Sequence, residues 1–188
     1  MSRGRVAGLD SLALTVHLLA LGMAFGPPIF FGAVVAPAVF SVVPTRDMAG
    51  ALQSPILSNL CGIAEASFLA LFATSWVLTR GAARGSRALL TRLPILGFFA
   101  ALAIRQLLIP PMDRIRREAP GLIDNLPAND PSRLLLARYH RLATGFFWLE
   151  IAAALLVLVV TARLLLERRE AAPGPAPAPK PAPKILDL

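Results

Sequence analysis

The sequence predicts an all-α integral membrane protein, a bundle of four transmembrane helices. Of its 188 residues 56% are hydrophobic and only 16% are charged, and the mean hydropathy is +0.65. A soluble domain of this length could not bury so much apolar surface. The formal net charge of +8 shows that the few charged residues are mostly basic. This composition argues against a soluble enzyme, a disulfide scaffold or a free nucleic-acid-binding domain.

The first predicted span covers about residues 11–40. No Asp, Glu, Lys or Arg occurs from residue 11 to residue 43. A straight helix of that length would extend about 50 Å, well beyond a hydrocarbon core of about 30 Å. Because proline removes a backbone donor and clashes with the preceding turn, we expect a kink at Pro27 and Pro28.

Local signals define the two ends of this first span. Asp10 is a predicted N-cap, and Pro37 and Pro44 mark a second disruption near the end. A signal peptide is the alternative interpretation, since Arg3 and Arg5 precede the apolar run. The run is too long for a signal-peptide core, so we expect an uncleaved span.

Three further apolar stretches complete the predicted four-span domain, residues 1–170. They cover about residues 55–79, 89–109 and 143–166. A polar loop is predicted at 110–129, and Asp130 followed by Pro131 predicts an N-cap with a first-turn proline. Residues 171–188 alternate Pro with Ala and Gly, which predicts a disordered tail in extended conformations. This tail is interpreted as a spacer, with a proline-recognition partner as the alternative.

Basic residues are unevenly divided between the two sides of a four-span chain, and they are mostly arginine. One side would carry eleven: Arg3, Arg5, Arg80, Arg84, Arg87, Arg92, Arg163, Arg168, Arg169, Lys180 and Lys184. The other side would carry seven: Arg46, Arg114, Arg116, Arg117, Arg133, Arg138 and Arg141. The bias favours both termini in the cytoplasm, in a bacterial inner membrane. The basic excess is assigned to lipid headgroups and orientation, and nucleic acid is not expected as a partner.

Three ionisable residues within the apolar spans are candidates for an intramembrane polar cluster. Glu65, Arg105 and Glu150 lie at depths that would allow them to meet, and a charge at mid-bilayer costs at least about 2.5 kcal/mol. Two interpretations stay open. Arg105 neutralises one glutamate and holds the helices in register, or the surplus carboxylate serves a proton relay or transport.

No catalytic residue, metal site or cofactor is predicted. The single cysteine, Cys61, cannot form an internal disulfide or a paired-cysteine metal site. His17 and His140 are expected at opposite ends of the bundle, which argues against a haem held by two histidines. No nucleotide-binding, serine-hydrolase or zinc-protease motif occurs in the chain.

Two segments resemble a known family. Residues 31–40 read FGAVVAPAVF and are followed by Ala49-Gly50, and residues 139–144 read YHRLAT. They resemble the signatures of the family that includes transmembrane protein 205, with Tyr139 in place of its usual leucine. The resemblance implies a bundle of four membrane helices with a polar loop before the last one, and it supplies no accepted enzymatic activity or cofactor. The matched positions to test are Pro37, Phe40, Gly50 and His140.

The expected function is that of a non-enzymatic membrane scaffold or accessory subunit. It would work by helix packing, within the lipid bilayer, with a membrane protein partner or as a homo-oligomer. The first alternative is a small transporter or efflux helper that uses Glu65, Arg105 and Glu150 as a polar pathway. The second is a haem- or quinone-binding membrane oxidoreductase.

Overall fold

The computed structural model describes residues 3–80 and 83–170 of the chain, and the predicted tail at 171–188 lies outside them. Most of the described part is helical, and it contains no strand. Four helical spans are long and apolar enough to cross a membrane, with mean hydropathies of 2.0, 1.7, 1.8 and 2.3 over their most apolar windows. The all-α class and the number of apolar spans are therefore as predicted.

Two of the four spans are divided by a π-helical turn, a widened turn of helix. The first consists of α1 (Arg3–Phe30), a π-turn (Phe31–Val35) and α2 (Ala36–Val42). The second span is α3 (Arg46–Leu78), the third consists of α4 (Arg84–Leu102), a π-turn (Ala103–Leu108) and α5 (Ile109–Glu118), and the fourth is α6 (Pro131–Glu170). A short 3₁₀ turn (Ile123–Asn125) precedes α6.

The spans form an up-and-down bundle in which consecutive spans are neighbours. α1 packs on α3 and α6, and α4 also packs on α3 and α6, so α3 and α6 face each other across a diagonal. We call the end that carries the connections 43–45 and 119–130 the loop end, and the other the opposite end. The core lies along the bundle axis, where Phe68, Leu71 and Val157 are fully buried.

Each π-turn is followed, one residue later, by a proline. Ala36 donates its N–H to the carbonyl of Phe31, and Pro37 comes next; Ile109 likewise bonds to Ile104, and Pro110 comes next. A proline ring would clash with the carbonyl four residues earlier in a regular helix. The widened turn shifts the hydrogen bonds by one residue and relieves that clash. The disruption predicted at Pro37 is therefore present, as a π-turn.

The N-cap predicted at Asp10 is wrong, because α1 begins at Arg3 and runs through this residue. No proline precedes Asp10 in the sequence, so nothing stops the helix from extending toward the N-terminus. α1 also continues through Pro27 and Pro28 to Phe30. The kink expected at these prolines stays a prediction.

The helices are longer than the predicted spans, chiefly at the loop end. α3 starts nine residues before Pro55, because Thr45 caps it by accepting a hydrogen bond from the N–H of Met48 at 3.2 Å. Residues 110–118, predicted as loop, belong to the amphipathic α5 (Ile109–Glu118), which buries Ile109 and Met112. Arginines on the outer face lower the mean hydropathy of this segment, so hydropathy did not predict a helix here.

The start of α6 is as predicted. The side chain of Asp130 accepts a hydrogen bond from the N–H of Ser132 at 2.8 Å, and Pro131 occupies the first turn. α6 then continues over 40 residues to Glu170. The helix therefore extends beyond the apolar span at both of its ends.

The outward faces of all four spans are apolar. Leu19, Phe99, Leu107 and Leu156 are among the large side chains that are exposed on the surface of the bundle. In water such a surface would drive aggregation, whereas in hydrocarbon it faces a solvent of its own kind. The exposed apolar band is thus what a bundle that lies in a bilayer requires.

Candidate functional site

Polar groups lie at three levels along the interior of the bundle. The middle level holds the predicted cluster around Glu65, the second lies nearer the opposite end around His17, and the third is a cavity at the loop end. On α3, Ser54, Glu65 and Thr74 mark the three levels. At a rise of about 1.5 Å per residue, neighbouring levels are about 14 to 16 Å apart.

At the middle level, Arg105 and Glu65 form an ion pair. Nη1 of Arg105 donates to Oε2 of Glu65 at 3.1 Å, and the arginine side chain is 39% exposed. The guanidinium lies against Gly62, since a Cβ at that position would be 3.1 Å from Nη1. Gly62 lies three residues before Glu65 and therefore on the same face of α3, where a side chain would crowd the guanidinium.

Glu150 lies on the diagonal partner helix and is only 1% exposed. It makes no ion pair with Arg105 within the described part of the chain. Cys61 of α3 is buried as well, at 2% exposure. The structure therefore brings together two of the three predicted residues, Glu65 and Arg105, and buries Glu150 in the bundle interior without an ion pair to Arg105.

Two carboxylate oxygens of this level are buried without a hydrogen-bond partner. They are Oε1 of Glu65 and Oε2 of Glu150. A buried charged oxygen without a partner is costly, and one guanidinium cannot neutralise two carboxylates. A proton held by one of the two carboxyls would remove the excess charge.

The second level is a hydrogen-bonded set that joins three helices. His17 of α1 is fully buried, with Nδ1 at 2.8 Å from Oγ1 of Thr74 and Nε2 at 3.0 Å from Oγ1 of Thr161. Thr74 donates its hydroxyl to the carbonyl of Ala70 at 2.7 Å, so it accepts from Nδ1 of the imidazole. Nε2 then accepts from Thr161, and a neutral ring satisfies every group.

This arrangement leaves neither nitrogen of His17 free for a metal or haem. His140 lies at the loop end and lines the cavity there, at the other end of the bundle. The two histidines are thus placed as the sequence predicted. Sequence reasoning identified neither Thr74 nor Thr161 as a partner of His17, although each is a polar residue within an apolar run.

The third level is a cavity of about 900 Å³ at the loop end. All four spans contribute to its wall, and its volume falls in the range of small-molecule sites. Phe40, Gly50 and His140, three of the four positions implied by the family resemblance, line this cavity. Pro37, the fourth, is exposed on α2 between two lining residues, Ala36 and Phe40.

The polar side of the cavity is built around Arg116 of α5. Its Nη1 donates to Oδ1 of Asp113 at 3.1 Å, and its Nε lies 3.3 Å from Oδ1 of Asp47. That Nε and that oxygen are buried, and neither has a hydrogen bond. The guanidinium covers Gly50, where a Cβ would lie 2.5 Å from Nη2.

A second set of contacts holds the loop over the cavity. Asp47 donates its backbone N–H to Oδ2 of Asp124 at 3.0 Å, and the N–H of Ile123 reaches the side chain of Asp47 at 3.5 Å. Arg133 donates to the carbonyl of Leu126 at 2.7 Å. Sequence reasoning used Arg116 and Arg133 only as orientation signals. The acids within this basic region, Asp47 and Asp124, were the signal that could have revealed the site.

The apolar side of the cavity is aromatic. The rings of Phe31 and Phe147 meet edge to face with centroids 6.3 Å apart, and Phe147 meets Trp148 at 6.4 Å. Trp148 is exposed on the outer surface and also lines the cavity. The cavity thus joins a charged side to an apolar side that reaches the outside of the bundle.

A further feature lies on the outer face of α1. Gly22 and Gly26 are exposed four residues apart, and nothing lies within 4 Å of a Cβ built at either one. Glycines at this spacing in an apolar helix allow a second helix to approach closely. Sequence reasoning did not identify this pair, although the spacing of four residues is apparent from the sequence.

Within residues 3–80 and 83–170 no group of three His, Cys, Asp or Glu side chains could hold a metal ion. No known protein family, curated protein or solved structure matches this chain. The resemblance to the family of transmembrane protein 205 therefore rests on the residues quoted for it.

Proposed function

We propose that this chain is a non-enzymatic integral membrane protein that acts as a scaffold or accessory subunit by helix packing. It lies in a bacterial inner membrane with both termini in the cytoplasm, as the distribution of arginine favours. Four long apolar spans and their exposed apolar faces support the location. The convergence of Phe40, Gly50 and His140 on one cavity supports membership of the family of transmembrane protein 205.

The observation that carries this proposal is the open face of α1. Gly22 and Gly26 face outward with empty space beside them, while Leu19 and Met23 on the same face are exposed. A second transmembrane helix, from a partner or from another copy, can fill that space and gain close packing. The partner then gains contacts that lipid chains provide less well.

The interior supports a packing role as well. His17 joins α1 to the diagonal pair α3 and α6, and the ion pair of Glu65 with Arg105 joins α3 to the third span. Phe68 and Leu71 are fully buried on α3, between the levels of Glu65 and His17. Apolar side chains thus separate the polar levels, and the polar contacts at each level hold neighbouring helices together.

Two substitutions on α1 test this proposal. Gly22→Ile and Gly26→Ile place branched side chains in the open space, and Leu19→Ile on the same face is the matched control. The mass of the complex extracted from native membranes into nanodiscs is measured. We expect the wild type and the control to exceed the 20.0 kDa of one chain by a fixed stoichiometry, and the glycine variants to lose the added mass. A monomer in every case would overturn the proposal.

A small transporter or efflux helper is the second candidate. It is favoured by the two unpartnered carboxylate oxygens of Glu65 and Glu150 in the bundle interior. In liposomes with an entrapped pH dye, this function predicts that a pH gradient decays faster with the wild type than with Glu150→Gln. Glu118→Gln, an exposed acid at the loop end, is the control. Equal decay for the wild type and Glu150→Gln would exclude proton movement through this site.

A further inference from the structure

We infer that the loop-end cavity is a binding site for an amphipathic anion, a molecule with an acyl chain and a carboxylate or phosphate head. The inference concerns a region that the packing proposal does not use, because the cavity lies inside the loop end and Gly22 and Gly26 lie on the outer face of α1. Either proposal can fail without the other.

The charge at this end favours an anion. Arginines outnumber acidic residues by seven to five in the loop-end segments 43–54 and 109–144. Arg46, Arg116 and Arg133 line the cavity, against Asp47 and Asp124. Arginine is suited to carboxylate and phosphate, since its planar fork binds two oxygens at once.

Donor groups remain open for such a head. Arg116 is already paired, because its Nε lies 3.3 Å from Oδ1 of Asp47 and its Nη1 lies 3.1 Å from Oδ1 of Asp113. Arg46 forms no ion pair within the described part of the chain, and Arg133 spends one N–H on the carbonyl of Leu126. The structure therefore offers arginine donors in excess of the acceptors that the protein supplies.

The opposite wall suits an acyl chain. Phe31, Phe147 and Trp148 form an edge-to-face aromatic row, and Leu57 and Met112 add aliphatic surface to the lining. Because Trp148 is also exposed on the outside of the bundle, the apolar wall continues to the surface that faces lipid. An acyl chain can thus lie along the apolar wall while its anionic head stays among the arginines. A small hydrophilic anion could not use the apolar wall.

Fluorescence of Trp148 provides the experiment. The protein has two tryptophans, and Trp76→Phe removes the other one, whose ring stacks with Arg87. In detergent micelles, a dibrominated fatty acid and a dibrominated phosphatidylglycerol are titrated as quenchers. Dibrominated fatty alcohol and dibrominated phosphatidylcholine serve as matched probes without a net negative head.

We expect saturable quenching by an anionic probe, reversed by the same compound without bromine. Arg133→Gln should weaken it about tenfold, whereas Arg141→Gln, an arginine of α6 outside the cavity lining, should not change it. Ala137→Phe fills the cavity without touching a charge and should abolish saturation, which keeps the test valid if Arg133→Gln fails to fold.

The probes also separate two sources of the anion. Saturation by phosphatidylglycerol assigns the site to a lipid headgroup, and saturation by the fatty acid alone assigns it to a free lipophilic acid. Equal quenching by the alcohol or by phosphatidylcholine would overturn the inference. So would quenching that Ala137→Phe leaves unchanged.

Discussion

The two ends of the bundle handle polar side chains in different ways. At the opposite end, His17 is fully buried and hydrogen-bonds to Thr74 and Thr161, and the hydroxyl of Ser75 on the same helix as Thr74 is buried without a hydrogen bond. At the loop end, Arg116 and Asp47 face a cavity and keep buried atoms without hydrogen bonds. The opposite end is therefore closely packed, whereas the loop end contains a cavity.

The difference originates in the backbone. Both π-turns of the described chain are followed by α2 and α5, which lead into the loop end, and each one precedes a proline. Lining residues of the cavity come from these segments, among them Phe31, Ala36 and Ile109. Widened turns and prolines reduce regular packing where they occur. We attribute the open end to them, and four predictions test how far the contrast extends.

The largest effect is expected for Gly97→Val. Gly97 of α4 is buried beneath the ring of Phe68, which a Cβ would overlap. Overpacking of a filled interior costs about 1 to 3 kcal/mol, and we expect the upper part of that range because Phe68 is fully buried. Gly85→Val, where a Cβ meets open space on the same helix, is the control. Melting temperatures in detergent that fall equally for both variants would contradict tight packing here.

A smaller loss is expected for His17→Leu. The substitution removes two hydrogen bonds and leaves the hydroxyl of Thr161 without its described partner. We expect a loss of about 2 kcal/mol in the free energy of unfolding, measured by denaturant titration in micelles. Thr15→Val, which removes an exposed hydroxyl of α1 bonded within its own helix, should change little. An unchanged free energy of unfolding for His17→Leu would show that these hydrogen bonds do not stabilise the opposite end.

The ion pair at the middle level should contribute less. Glu65→Gln and Arg105→Gln are each compared with the double variant in a thermodynamic cycle. Because Arg105 is partly exposed, we expect a coupling free energy of about 1 kcal/mol. A coupling near zero would show that the pair does not stabilise the contact between α3 and the third span.

The smallest effect on stability is expected for Gly50→Ala at the loop end. The new methyl group would displace the guanidinium of Arg116, which lies at the far end of a flexible side chain. We expect a loss below about 1 kcal/mol because such a side chain can move. Gly121→Ala, with open space around its Cβ, is the control. A loss as large as that of Gly97→Val would show that the loop end is as rigid as the other.

The sequence was sufficient for the fold class, because four apolar runs and clustered arginines need no knowledge of tertiary contacts. Because helix rise converts residue number into position, it also predicted depths at which Glu65, Arg105 and Glu150 could meet, and the structure shows contact between Glu65 and Arg105. It could not show which carboxylate Arg105 binds, because that depends on how the helices are rotated. The amphipathic α5 was missed, since Arg114 and Arg117 lower its hydropathy while Met112 is buried on its inner face.

The cavity could not have been predicted from one segment of the chain. Asp47 lies 69 residues before Arg116, and Arg133 lies 17 residues after it, so these side chains line one cavity only when three spans pack. The family resemblance named three of the lining residues, Phe40, Gly50 and His140, although it assigned them no common location. The structure shows that these three residues line the same cavity.

Cysteine accessibility tests the contrast between the two ends most directly. Cys61→Ala removes the single native thiol, and one cysteine is then introduced at Ala143 or at Ala20. These alanines are almost equally buried, at 6% and 7% exposure, but Ala143 lines the cavity and Ala20 lies in the packed core of α1. We predict that a water-soluble maleimide modifies Ala143→Cys and leaves Ala20→Cys unmodified over the same time. Equal modification of the two, or modification of Ala20→Cys alone, would contradict an open loop end and a closed opposite end.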